Sequence, residues 1–255
     1  MFDEEFSIGD SIFHNADPRV KTIIAFLIII SVILSNNITS CGVILAFLII
    51  SILIAKLSLL KVAKRVLVVN SFVIFLWFFL PFSTPGREIF QIHGLSASYE
   101  GIYQAILITL KANSAVLTII CFINTTPVPI LGHGLYKLKV PPKFILLFLL
   151  TYRYISVIFE EFSRMLNAAK IRNFHPKTNL HTYRTYSYML AMGLIKSYER
   201  GKRVYNAMVL RGFNGKFYSL QDFNLSRNDI IIAYLSLFII VISNFTSYIQ
   251  NFWRY

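Results

Sequence analysis

Five apolar stretches separated by polar breaks organise the chain. They run from Val20 to Ser35, Cys41 to Leu60, Val66 to Phe82, Tyr103 to Ile123 and Asp229 to Tyr248. Each reads as a membrane-crossing helix, for which about 20 apolar residues suffice. The first is short and enters through DPRVK. The last is introduced by SRND, where Ser226 and Asp229 have the spacing of a capping box. A stretch of different character, residues 124–228, separates the fourth crossing from the fifth.

That stretch opens TTPVPILGHGLYKLKVPPK. Thr126 before Pro127 predicts a helix start, and Val128, Leu131, Leu135 and Leu138 share one face of a short amphipathic helix on the membrane surface. Two glycines interrupt it, and Pro141 and Pro142 restart the chain. From Lys143 to Arg172 there is no proline or glycine, which predicts one helix of about 45 Å. Its first half is apolar except for Arg153, and its second half is polar. A second long helix, from Tyr186 to Arg211, follows the same trend, with Gly201 inside it.

The two long helices share a motif. RMLNAAKIRNF at 164–174 returns thirty-nine positions later as RVYNAMVLRGF at 203–213. The agreeing pairs are Arg164/Arg203, Asn167/Asn206, Ala168/Ala207, Arg172/Arg211 and Phe174/Phe213. Relative to the first arginine, the asparagine, alanine and second arginine fall at +3, +4 and +8, one helical face. Asn173 and Gly212 are the residue types best suited to the left-handed position that closes a helix, and an arginine in the last turn complements the helix dipole. Helix-stop chemistry alone accounts for Arg-Asn-Phe and Arg-Gly-Phe. It does not require the repeated arginine, asparagine and alanine before them. The alternative is a pair of basic helix tips that meet a partner present in two copies.

Composition and charge agree with a membrane setting. Of 255 residues, 56% are hydrophobic and only 15% charged, with a mean hydropathy of +0.61. The acidic start, MFDEEFSIGD, lacks the basic region of a signal peptide and is expected to be mature. Arg19 and Lys21 precede the first crossing, Lys56, Lys61, Lys64 and Arg65 separate the second from the third, and the intervening loops carry only Arg87. That asymmetry predicts a cytoplasmic N-terminus. Residues 124–228 hold sixteen of the 25 lysines and arginines against four acids (Glu160, Glu161, Glu199 and Asp222), a net charge of +12 out of +13. Anionic lipid heads or an acidic protein partner match such a surface, and no nucleic-acid motif accompanies it.

Candidate chemistry is sparse. Cys41 and Cys121 border or lie in apolar runs and read as small membrane residues. His14 with Asp17 reads as a satisfied loop pair; His93, His133, His175 and His181 have no metal-ligand spacing, so no metal site is assigned. No phosphate-cradling loop, HExxH or nucleophile elbow is present, and the adjacent Glu160 and Glu161 point about 100° apart, so they do not form an acid–base pair. These absences argue against an enzyme. No crossing carries an interior acid, and no inverted repeat is visible, which argues against a stand-alone carrier. Lys111 is the one ionisable residue well inside a crossing and predicts a polar contact with another helix or a partner. Asn70 and Ser71 could form a similar interhelical contact, though core packing is the preferred reading.

The run from Thr125 to Phe174, with SYERGKRVYNAMVLRGFNGKF after it, resembles the T component of energy-coupling factor transporters, most closely the cobalt-transport subtype called CbiQ. LTYRYI and NLHTYRTYSYMLAMGLIKSYERGKRVYNAM carry the subtype likeness, with nickel and vitamin systems as alternatives. The resemblance implies an all-α integral membrane protein of about five crossings with a coupling module of one short amphipathic and two long crossing helices. Residues 1–123 would hold crossings one to four, 124–228 the cytoplasmic coupling module and 229–255 the last crossing. Two ABC-type ATPase subunits and a cobalt-capturing S component would be its partners in the plasma membrane, with ATP and magnesium bound by the ATPases and no cofactor by this chain. The family's Ala-Arg-Gly-like docking motifs correspond to Ile171-Arg172-Asn173 and Leu210-Arg211-Gly212. In both, a larger apolar residue replaces the usual small first position, and Asn173 replaces glycine.

Overall fold

Asp17 starts the first helix. Its carboxylate accepts the backbone N–H of Arg19 at 2.8 Å, and Pro18 occupies the first helical position, where its missing N–H costs nothing. The computed structural model describes residues 6–7, 9, 11–92, 95–215 and 225–252, and the side chains among them outside 88–97 and 247–252. Its helices are α1 (Pro18–Leu34), α2 (Ile38–Ile54), α3 (Leu59–Ser83), α4 (Tyr99–Thr118, continued by a π-helical turn over Ile119–Ile123), α5 (Val128–Lys137), α6 (Pro142–Ile171), α7 (Leu180–Leu210) and α8 (Arg227–Phe252). The protein is a helical integral membrane protein. A two-stranded antiparallel hairpin, β1 (Glu88–Ile92) with β2 (Leu95–Ser98), joins α3 to α4; hydropathy alone does not predict it.

Four helices have the length and composition of a membrane crossing: Leu59–Ser83, Tyr99–Ile123, Pro142–Ile171 and Arg227–Thr246. The first two expected crossings are shorter than that. Both α1 and α2 have 17 residues, about 25 Å of helix and near the lower bound for a span. The stretch expected to run from Cys41 to Leu60 ends earlier because Lys56 takes a left-handed conformation (φ 51°). Helix α3 begins at Leu59 rather than Val66, and so absorbs Lys61, Lys64 and Arg65; lysine and arginine are good helix formers that hydropathy marks as loop. Helix α7 begins at Leu180 rather than Tyr186, because the Asn179 side chain caps it by accepting the Thr182 N–H at 2.9 Å.

By internal contacts the chain divides into two units, Glu4–Gly134 with Phe223–Tyr255, and Leu135–Asp222. In the first, α1, α2, the π-helical turn and α8 pack around Ile24, Ile28, Val32, Ile44, Leu48, Ile120 and Phe122, all buried. Phe13 meets Phe122 edge-on at 5.6 Å. Lipid tails are as apolar as these side chains, so close packing rather than expulsion of water holds such helices together. Gly101 permits one close approach: a Cβ there would lie 2.7 Å from the Pro81 Cα and from the Leu80 carbonyl oxygen of α3.

A polar knot ties one end of this unit. Asp229, 1% exposed, accepts the Ser226 N–H at 2.8 Å with one oxygen and the Asp17 N–H at 2.9 Å with the other. The first bond completes the capping box that the SRND spacing predicts. Asp17 pairs with Arg19 at 2.6 Å, and His14 separately bonds Ser11 at 2.6 Å and the Phe6 carbonyl at 2.9 Å. His14 and Asp17 therefore do not act as a pair with each other; each is satisfied by its own partners. Lys21, read in the sequence only as an orientation signal, is also buried. Its ammonium donates to the Phe13 carbonyl at 2.8 Å and to the Thr125 hydroxyl at 3.2 Å.

Asp229→Ala would leave the buried Asp17 N–H and the more accessible Ser226 N–H without a charged acceptor, at a cost of about 2 kcal/mol. We expect its melting temperature in detergent to fall by several degrees, with Asp229→Asn intermediate, in a thermal-shift measurement.

Candidate functional site

The second unit is built mainly from α6 and α7, which pair antiparallel. Glu161 on α6 binds Lys196 on α7 at 2.6 Å and approaches Arg200 at 3.6 Å, while bonding Arg164 on its own helix at 3.0 Å. Gly193 lies opposite Met165, and Phe174 packs edge-on against His181 and Tyr186. In the other direction, an apolar groove of about 520 Å³ is lined by Leu146, Leu150 and Ile158 on one side and by Val204, Met208 and Phe213 on the other. Glu161 is thus a brace between the helices. The sequence reading excluded it from acid–base chemistry without identifying this role, because its partners are thirty-five and thirty-nine positions away.

Both long helices end by the same geometry. In α6, the Asn173 N–H donates to the Lys170 carbonyl at 3.0 Å and the Phe174 N–H to the Ala169 carbonyl at 3.1 Å. In α7, Gly212 donates to Val209 at 2.9 Å and Phe213 to Met208 at 3.0 Å. These paired bonds form a Schellman closure, and each requires one residue at positive φ, here Asn173 at 65° and Gly212 at 83°. The phenylalanine after it is the anchor: Phe174 is 7% exposed, and Phe213 lines the groove. One closure thus accounts for the left-handed residue and the phenylalanine of each motif, but not for the arginine before them.

The rest of the repeat lies on the outside. Asn167, Ala168, Asn206 and Ala207 are exposed and take no part in packing α6 against α7. The leading arginines are partnered, Arg164 with Glu161 and Arg203 with Glu199 at 3.9 Å. Arg172 and Arg211 differ: both are exposed, and neither makes an ion pair with a described residue. Beside them, Ile171 is 87% exposed and Leu210 88%. Each helix end thus presents a cation and an apolar side chain on a closed, anchored turn. The pairing places the end of α7 beside the start of α6. With 1.5 Å of rise per residue, the two arginines stand roughly 40 Å apart, too far for one pocket to hold both.

The remaining sequence candidates are placed as follows. Lys111 on α4 donates to the Ile33 carbonyl at 2.9 Å, so it caps the last turn of α1, where a cation also complements the helix dipole. Asn113 donates to Asn70 on α3 at 3.1 Å. His175 contacts Asn173 at 3.0 Å, inside the α6–α7 turn. Among the described residues, no group of three or more histidine, cysteine or acidic side chains is arranged to hold a metal ion. His93 and Asp222 lie outside the described residues.

Comparison with known proteins matches residues 9–221 to the family model described as CbiQ, cobalt transport protein. An uncharacterised protein of Methanocaldococcus jannaschii is 25% identical, over 94% of this chain and 84% of its own length. A protein of Brevibacillus brevis named energy-coupling factor transporter transmembrane protein EcfT is 24% identical, over 92% of this chain and 93% of its own. The cobalt transport protein CbiQ of Rhodobacter capsulatus is 27% identical, over 54% of this chain and 57% of its own.

Because only glycine and asparagine readily adopt the left-handed conformation, Gly212→Val should cost about 1–2 kcal/mol locally, whereas Asn173→Gly should be tolerated. Hydrogen exchange would show it: the Phe213 amide is expected to exchange tenfold or more faster in the first variant, and the Phe174 amide to be unchanged in the second.

Proposed function

The chain belongs to the CbiQ family of cobalt transport proteins, and on that premise we propose that it is the energy-coupling transmembrane subunit of an energy-coupling factor transporter for cobalt. In this reading it sits in the plasma membrane with its N-terminus and coupling module in the cytoplasm. It joins two ABC-type ATPases, which hold ATP and magnesium, to an S component that captures the ion. The chain itself is non-catalytic.

The observation that carries the proposal is the pair of equivalent helix ends roughly 40 Å apart, each offering an arginine that makes no ion pair with a described residue, beside an exposed Ile171 or Leu210. A guanidinium fixed at a helix end makes forked hydrogen bonds to carboxylates or carbonyls. Covering the neighbouring isoleucine or leucine adds about 2 kcal/mol at each tip. Two copies of one ATPase groove satisfy two such tips. When ATP draws the ATPases together, their grooves converge, and the anchored ends of α6 and α7 carry that displacement into the apolar halves of both helices. The rigid closures matter here, since a frayed end would absorb the motion. Asn167, Ala168, Asn206 and Ala207 would form the flat approach surface beside each arginine.

A second reading has its own support. Relatives named EcfT align over more of this chain than the CbiQ of Rhodobacter capsulatus does, which favours a T component that is not dedicated to cobalt; nickel and vitamin systems are the alternatives.

Reversing charge at one tip should release one ATPase and leave the other. In native mass spectrometry of the complex, Arg172→Glu and Arg211→Glu are each expected to lose one ATPase copy, and the double variant both. Uptake of labelled cobalt should fall at least tenfold in each. Full retention of both ATPases by the double variant would overturn the docking assignment, and uptake of nickel or a vitamin in place of cobalt would replace the substrate.

A further inference from the structure

We infer that the turn between α2 and α3 holds one anionic phospholipid, with its phosphate at Lys56 and Lys61 and one acyl chain in the groove between α2 and α8.

Two cavities meet at this place. One, of about 570 Å³, lies under the N-terminal loop and is lined by Ser11 and His14, by the end of α2 and by Lys56, Ser58 and Lys61. The other, of about 590 Å³, is a groove walled by Ala46, Phe47 and Ile50 of α2 and by Ile231, Leu235 and Ile239 of α8. Ile12 and Ile54 line both, so a polar chamber opens directly into an apolar one. Because this end joins two membrane helices, it lies where headgroups meet acyl chains.

The charge of the polar chamber selects the headgroup. Among its described lining residues there is no carboxylate, and neither lysine's ammonium makes an ion pair or a hydrogen bond with a described residue. A third cation, Arg65, lies over the Phe6 ring at 4.6 Å, and Phe6 lines the same chamber. His14 is already committed to Ser11 and the Phe6 carbonyl, which leaves the lysines as the free donors.

The backbone gives an independent reason. Lys56 closes α2 at φ 51°, donating to Leu53 at 3.1 Å while Leu57 donates to Ile52 at 3.4 Å. Glycine or asparagine suits that position, and a lysine there is held at a conformational disadvantage. Its side chain reaches a chamber whose described lining holds no carboxylate. The groove beyond explains why the anion is a lipid rather than a free phosphate.

The test compares lipids on the purified full chain in mild detergent. With phosphatidylglycerol and phosphatidylcholine of equal chain length, native mass spectrometry should show one retained phosphatidylglycerol and at least a tenfold preference for it. Lys56→Gly and Lys61→Gln should each reduce that preference about fivefold, the effect of one lysine near an anionic surface. Lys56→Gly suits the φ of its position, so it keeps the turn intact while removing the charge. Ala46→Trp fills the groove and should abolish retention of both lipids. Equal retention of the two lipids, or a preference unaffected by both lysine variants, overturns the site. Thermal stabilisation by glycerol phosphate equal to that by phosphatidylglycerol also overturns it, because the acyl groove would then contribute nothing.

Discussion

A helix that leaves water must still satisfy the carbonyls of its last turn, and the way this chain does so shapes most of its features. Four helices close by the paired Schellman bonds, with Lys56, Lys139, Asn173 and Gly212 at positive φ and Leu57, Val140, Phe174 and Phe213 following them. Helix α1 ends differently, with the Lys111 ammonium on the Ile33 carbonyl. At the opposite ends, Asp17, Ser98, Asn179 and Asp229 take up the free N–H groups.

These closures decide which side chains are left over. In α6 and α7 the left-handed residue turns the chain sharply enough to bury or seat a phenylalanine, and the arginine before it remains outside, with no acid among the described residues to hold it. Glu161 balances three of the basic side chains between the two helices, and Glu199 a fourth, but none of these is Arg172 or Arg211. The selectivity is physical: cations that brace α6 and α7 are neutralised, and those at the tips stay exposed and make no ion pair with a described residue. The same logic at α2 leaves the Lys56 ammonium without a partner among the described residues, near an apolar groove.

Much of this was legible in the chain. The repeat at 164–174 and 203–213 located both tips, Asn173 and Gly212 indicated how they close, and the SRND spacing marked the start of α8. Hydropathy failed where a single residue outweighs the local average. It ran α2 on to Leu60 because nothing in SILIAKLSLL announces a lysine at positive φ, and it began α3 too late because basic residues were counted as loop. It also started α7 at Tyr186, since the cap at Asn179 precedes a polar first turn. The knot of Asp17, Lys21, Thr125 and Asp229 was beyond reach for another reason. Its members are up to 212 positions apart, and each alone reads as an ordinary cap, loop or orientation signal.

The measurement that tests the central claim most directly places a photo-crosslinking amino acid at Ile171 and at Leu210, separately and together, in cells that also make the ATPases. The account predicts that each single site yields a product of one chain with one ATPase, and that the doubly substituted chain yields a product with two. Capture of only one ATPase by the double substitution, or of none at either site, would contradict it.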